Sequence, residues 1–218
     1  MIPLSDASRR SESFPVATTA IIVANVVVFM MELAGGDAFV LRWSAVPAEI
    51  VAGHHWITIL TSIFLHAGWM HIVGNMVFLH AFGPGVERAM GSVKYVFFYL
   101  LCGLVASLAQ IAAMPASSVP GLGASGAIAG VMGAFIVTYP GDEIKTLLLF
   151  GWFARITFIP AVVVIGLWFV IQIFDQVGAV ADVQTGGVAY AAHIGGFLFG
   201  LATGRAFEYR RRVPLWQS

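Results

Sequence analysis

Apolar residues run along this chain in long blocks, and the polar positions between them mark where it turns. Five stretches contain no Asp, Glu, Lys or Arg: Ser13 to Met31, Ile50 to Val86, Tyr95 to Gly141, Ile156 to Phe174 and Val183 to Gly204. A bilayer-crossing helix needs about 20 mostly apolar residues, so the first, fourth and fifth stretches hold one span each. The third is long enough for two and is divided by the helix-breaking run Met114-Pro115-Ala116-Ser117-Ser118-Val119-Pro120-Gly121. The second carries His54, His55, His66, His71 and His80, and only its latter half reads as a span. The pattern predicts six helices, over 16–33, 69–86, 94–113, 125–139, 157–176 and 189–207, in an all-α membrane protein. The piece Ile144 to Ala154 is too short for a seventh span and contains Lys145.

Composition agrees with that class. Hydrophobic residues make up 59% and charged residues 10% of the 218, against about 45–50% and about 25% in ordinary globular chains, which excludes disorder and argues against a water-soluble globule. Eleven basic and eleven acidic side chains leave no net charge to draw nucleic acid. The single cysteine, Cys102, rules out a disulfide framework or a multi-cysteine zinc site within one chain. With six spans, Arg9, Arg10, Arg88, Lys94, Lys145, Arg155, Arg205, Arg210, Arg211 and Arg212 share one side and Arg42 lies opposite. The positive-inside rule makes the shared side, with both termini, cytoplasmic. The run from Val16 to Leu33 has no small-x-small cleavage site and reads as a retained anchor. The expected organisation is a short cytoplasmic segment over 1–15, a six-helix body over 16–207 and a basic cytoplasmic tail over 208–218.

Polar groups inside a bilayer are costly, so their positions point to function. The second span is led by His66-Ala67-Gly68-Trp69-Met70-His71 and carries Asn75; the fourth opens with Gly123-Ala124-Ser125-Gly126; the sixth carries Ala192-His193-Ile194-Gly195-Gly196. Spans two, four and six run parallel, inward from the outer face, which puts Ser125, His193, His71 and Asn75 at one depth where water can enter. His71 and Asn75, four apart, share a helix face. Gly126, Ala129, Gly130 and Gly133 on the fourth span and Gly196, Gly200 and Gly204 on the sixth form narrow faces that let membrane helices pack backbone to backbone. A Ser and a His on such a pair read as a catalytic dyad.

Plainer readings compete. Gly-x-Ser-Gly alone fits many membrane helices, and a lone intramembrane His is more often a buried hydrogen-bond partner or part of a transport path. A transporter would want an acid for its proton relay, and the pattern offers none at that place. His66, His71 and His193 could gather a metal, but His-Glu-x-x-His is absent, so neither a metal nor another cofactor is expected. His54 and His55 beside Trp56 look interfacial and His80 lies toward the cytoplasm; none of these receives a catalytic role.

With these residues assembled, the chain resembles the rhomboid family of intramembrane serine proteases, over nearly its whole length from the first span to about Phe207. His66, His71 and Asn75, then Gly123 to Gly126, then Ala192 to Gly196 fit the family's three signatures in order. The resemblance implies a compact bacterial six-helix form in the inner membrane, with Ser125 as nucleophile and His193 as general base and later acid. It implies an oxyanion hole of His71, Asn75 and the backbone N–H of Ser125, with His66, Gly123, Gly126 and Gly196 structural. The implied partners are the lipid bilayer and transmembrane protein substrates cut near their outer ends, admitted by movement of the fifth span around Trp168 and Phe169 and of the Val177 to Val188 loop. Some members place a Tyr four residues after the catalytic Ser, where this chain has Ala129, so the dyad would be braced differently. Arg42-Trp43 with Val46-Pro47 is similar to the family's aromatic-arginine loop, a structural feature. An inactive, client-binding relative is the nearest competitor, and intact Ser125 and His193 argue against it.

Overall fold

The computed structural model describes residues 1–8, 13–150, 153–181 and 190–209. The arginines at 9, 10 and 210–212, and residues 182–188 of the expected loop, lie outside them. Eight helices are described: α1 (Val16–Trp43), α2 (Pro47–Val51), α3 (Thr58–Thr61), α4 (Trp69–Met90), α5 (Ser92–Ala113), α6 (Ser125–Thr138), α7 (Ala161–Ala181) and α8 (Tyr190–Phe207). A 3-10 turn, Ser62–Phe64, follows α3. Helix α1 passes the expected end of the first span and runs to Trp43, kinked at Gly36, whose φ of 61° suits a residue without a side chain. Gly91, with φ 77°, is the single residue between α4 and α5 and reverses the chain there. Helix α7 starts at Ala161 rather than 157 and reaches Ala181, taking in the first residues of the expected loop.

The all-α expectation needs correction. Three antiparallel strands, β1 (Ile2–Asp6), β2 (Glu143–Phe150) and β3 (Phe153–Pro160), form a sheet in the order β1-β2-β3. The segment between the expected fourth and fifth spans, too short for a seventh, is a hairpin, and the start of the chain pairs with it: Ile2 stands opposite Leu147 and Asp6 opposite Ile144. Ile, Leu, Thr and Phe dominate these segments, which suits a pleated, packed surface. Counting charge-free windows is blind to pairing between such distant segments.

Among the described residues, two helices, α1 and α5, are each long and apolar enough to cross a bilayer alone. Helix α4 makes a third when joined with Thr58–Phe64, from which it bends by 88°. Helix α6, shorter and apolar, touches α4, α5, α7 and α8 and sits at the centre. Its residues Gly126 through Phe135 are all buried. Tyr95, Tyr99, Phe98, Phe82 and Phe135 fill the core around it, the last two meeting edge to face at 5.3 Å.

One buried acid ties three helices together. The Glu87 carboxylate, at the end of α4, accepts hydrogen bonds from the backbone N–H groups of Ala17 and Thr18 at 2.8 Å. It also accepts the hydroxyls of Thr18 and Ser92 at 2.7 Å. The first N–H groups of a helix lack intrahelical partners and favour a negative charge, and Pro15 before α1 supplies no side-chain cap. Glu87 fills that role from another helix.

Candidate active site

Helices α6 and α8 approach closely because both present glycine. A methyl group added to Gly130 would lie 2.5 Å from Cys102 Cβ and 3.1 Å from the Gly196 carbonyl oxygen; one added to Gly196 would strike the Gly126 carbonyl. Gly200 stands likewise against Gly130, and Gly204 against Ala134. With no side chains between the axes, residues at the two N-terminal ends come within reach. Ser125 opens α6, His193 lies in the first turn of α8, and His193 Nε2 is 2.6 Å from Ser125 Oγ. The imidazole is buried while Ser125 is half-buried.

Two aromatic rings flank that imidazole. Trp168 of α7 lies 5.6 Å away between ring centroids and Tyr190 meets it edge-on at 6.3 Å. Ala129, one turn after Ser125, is buried and offers no ring. The sequence reading named Trp168 only as part of a gate and left Tyr190 out. Phe169, the next residue, stacks on Phe197 at 4.2 Å and holds α7 to α8.

The other residues converge from α4 and the segment before α6. Gly123 has φ 129°, a backbone region that side chains rarely adopt, and its N–H bonds the Ser62 carbonyl at 2.9 Å. A methyl group there would stand 2.9 Å from His71 Cε1, 3.1 Å from His71 Nε2 and 3.5 Å from Ser125 Oγ. Gly123 therefore lets the chain slip between the His71 ring and the serine. His71 Nδ1 accepts the Ala67 N–H at 3.2 Å, which turns Nε2 toward Gly123. Asn75, one turn further along α4, is buried, and its Nδ2 donor has no partner among the described residues. An unpaired buried amide is costly unless something comes to meet it. The N–H groups that open α6, like those of any helix start, have no carbonyl within the helix.

His66 stands behind His71, ring centroids 5.2 Å apart, and edge-on to Phe29 at 6.5 Å. Its backbone N–H is 3.1 Å from each carboxylate oxygen of Glu32 on α1. Glu32 is buried, so an acid does lie inside the helical body beside the histidines, contrary to the sequence expectation. Glu32 follows directly on the charge-free window that ends at Met31, although the expected span of 16–33 includes it; its spacing of one helical turn from buried Phe29 and two from buried Asn25 is the signal that could have turned it inward. His54 and His55 are exposed, with ring centroids 6.5 Å apart, and His80 lines a groove between α1 and α4.

Comparison with known proteins bears on this arrangement. A family model, the Rhomboid domain, matches residues 53–210. The chain is 30% identical over 175 residues to Rhomboid protease GluP of Bacillus subtilis (strain 168), covering 79% of this chain and 31% of that protein. It is 33% identical over 86 residues to Putative rhomboid protease YdcA of the same organism, covering 39% of this chain and 43% of that one. It is 26% identical over 211 residues to the human Presenilin-associated rhomboid-like protein, mitochondrial, covering 90% of this chain and 50% of that one. The chain thus spans about a third to a half of the length of these curated relatives. Because the matched stretch takes in all three segments that meet around Ser125 and His193, this chain belongs to the rhomboid family.

Proposed function

We propose that this integral membrane protein is an intramembrane serine endopeptidase that hydrolyses a peptide bond near the outer end of transmembrane helices. The observation that carries the reading is the 2.6 Å contact between His193 Nε2 and Ser125 Oγ at the meeting of two glycine-faced helices. In the proposed reaction the Ser125 hydroxyl donates its proton to Nε2 while Oγ attacks the substrate carbonyl carbon. Negative charge gathers on the carbonyl oxygen, and the Asn75 Nδ2 donor, the His71 imidazole and the Ser125 backbone N–H stabilise it. The imidazolium then protonates the departing amine, leaving an acyl-enzyme. Water repeats the sequence with His193 again as base and frees Ser125. Trp168 and Tyr190 flank the imidazole and, with the packing of the helices, hold the ring toward Ser125.

In this reading the body over 16–207 crosses the bilayer six times, the segments 1–15 and 208–218 face the cytoplasm, and the protein resides in a bacterial inner membrane. Helices α4, α6 and α8 run parallel, so their N-terminal ends open a wet pocket below the external surface. His66, Gly123, Gly126 and Gly196 shape the backbone around it. A helical substrate must unwind to expose its peptide bond, and entry past α7 at Trp168 and Phe169 gives it a route. Relatives bearing the name rhomboid protease support the assignment.

The test reconstitutes purified protein in vesicles with a labelled transmembrane substrate. Cleavage is expected to vanish in Ser125→Ala and His193→Ala and to persist with a metal chelator. An organophosphonate should label Ser125 only when His193 is present. Continued cleavage by Ser125→Ala would end the serine-protease reading.

A further inference from the structure

An antiparallel sheet with one face on a protein core and the other in water alternates apolar and polar residues. The β1-β2-β3 sheet does not. Its inner face packs on the bundle through buried Pro3, Ile144 and Thr146. Its outer face is also apolar: Ile2 stands opposite Leu147, which stands opposite Ile156, with Leu149 and Phe158 on either side. Leu149, Ile156 and Phe158 are each more than half exposed. Glu143 and Lys145, opposite Pro160 and Phe158, are the charged side chains that β2 adds to this face, both at the end nearest the bundle.

The surroundings indicate what covers this face. The hairpin joins the end of α6 to the start of α7, at the end of α6 away from Ser125. Directly after β3, exposed Val162 and Val163 of α7 carry the apolar surface onward. On the other flank, Pro3 and Leu4 line a groove with Ile22 and Val26 of α1 and Val77 of α4. The sheet face is thus a continuation of the apolar belt that the spanning helices turn to lipid, and soluble proteins rarely leave so contiguous an apolar patch to water. Among the described residues no strand pairs with the second edge of β3, and unpaired edge amides are not tolerated in dry hydrocarbon. Both conditions are met at the boundary between acyl chains and headgroups, where the edge still meets water and Lys145 and Arg155 can extend their ends to the phosphates.

We infer that the outer face of this sheet is a lipid-contacting surface, lying against acyl chains of the leaflet opposite the Ser125 pocket, rather than a cytoplasmic loop. The test places single cysteines at Leu149, Ile156 and Phe158 in a Cys102→Ala background, attaches a nitroxide, and reconstitutes each protein in phosphatidylethanolamine–phosphatidylglycerol vesicles. Collision with oxygen, which concentrates in lipid, is compared with collision with a water-soluble nickel chelate. Oxygen should dominate at all three positions, while a label at exposed Glu143, at the base of β2, should favour nickel. Nickel access at the three positions equal to that at Glu143 overturns the inference. Low access to both reagents overturns it too, because a second copy or a soluble protein would then cover the face. Three independent positions keep the result readable if one variant fails to fold, and none depends on the chemistry at Ser125.

Discussion

Replacing Gly196 by Ala adds one methyl group where there is no room for it. That methyl would strike the Gly126 carbonyl oxygen and stand 3.0 Å from the Gly126 carbonyl carbon and 3.3 Å from Ala106 Cβ, where ordinary contact begins at 3.4 Å. The first two are backbone atoms and the third has no rotamer to change, so relief comes from parting α8 from α6 by roughly 1 Å, at a cost of about 1–3 kcal/mol in stability. His193 lies three residues before Gly196, less than one turn away, and moves with it. The 2.6 Å contact to Ser125 Oγ then leaves hydrogen-bond range. A displacement of about 1 Å in a catalytic group costs about 10²-fold in rate, equivalent to about 2.7 kcal/mol of barrier. The assay is turnover of a transmembrane substrate in vesicles, with unfolding in denaturing detergent followed in parallel. We expect kcat to fall about a hundredfold with little change in KM. Gly166→Ala on α7, where an added methyl meets nothing within 4 Å, should leave turnover unchanged. A folded Gly196→Ala protein that cleaves at the wild-type rate would refute the argument that glycine-to-glycine approach sets the dyad distance.

Three further outcomes follow from the same geometry. Asn75→Ala removes the unpartnered Nδ2 donor and should lower kcat by about 10²- to 10³-fold while substrate affinity holds; unchanged turnover would take Asn75 out of the oxyanion site. Glu87→Ala strands the donors of Ala17, Thr18 and Ser92, each costing about 1–3 kcal/mol where water cannot replace the carboxylate. Its unfolding midpoint in denaturing detergent should drop well below wild type. Glu32→Leu leaves the His66 N–H unsatisfied, whereas Glu32→Gln retains a carbonyl acceptor. The leucine variant should lose activity and stability together and the glutamine variant should keep most of both; equal behaviour of the two would show that this hydrogen bond does not hold the segment leading into α4.

Local spacing made part of the site legible. His71 and Asn75 share a face because they are four apart, and glycines at intervals of four on two helices anticipate a close crossing. A Ser at the start of one helix and a His at the start of a parallel one can meet only if that crossing forms, and in the structure they stand 2.6 Å apart. The strands were not legible. Residues 2–6 and 143–160 have no short-range pattern naming each other as partners, and the apolar hairpin resembled a failed span because a pleat with two apolar faces lacks the usual alternation.

The sequence by itself determined which segments are apolar enough to leave water, which helix faces are narrow, and which polar side chains ride on them, because each of these depends on residues within a few turns of one another. Only the tertiary structure decided that Glu87 caps a helix from another part of the chain, that Glu32 holds His66, that Trp168 flanks the imidazole, and that the first residues complete a sheet. Those partners lie far apart along the chain, and what pairs them is the requirement that every buried donor, acceptor and strand edge find a neighbour once the helices have packed.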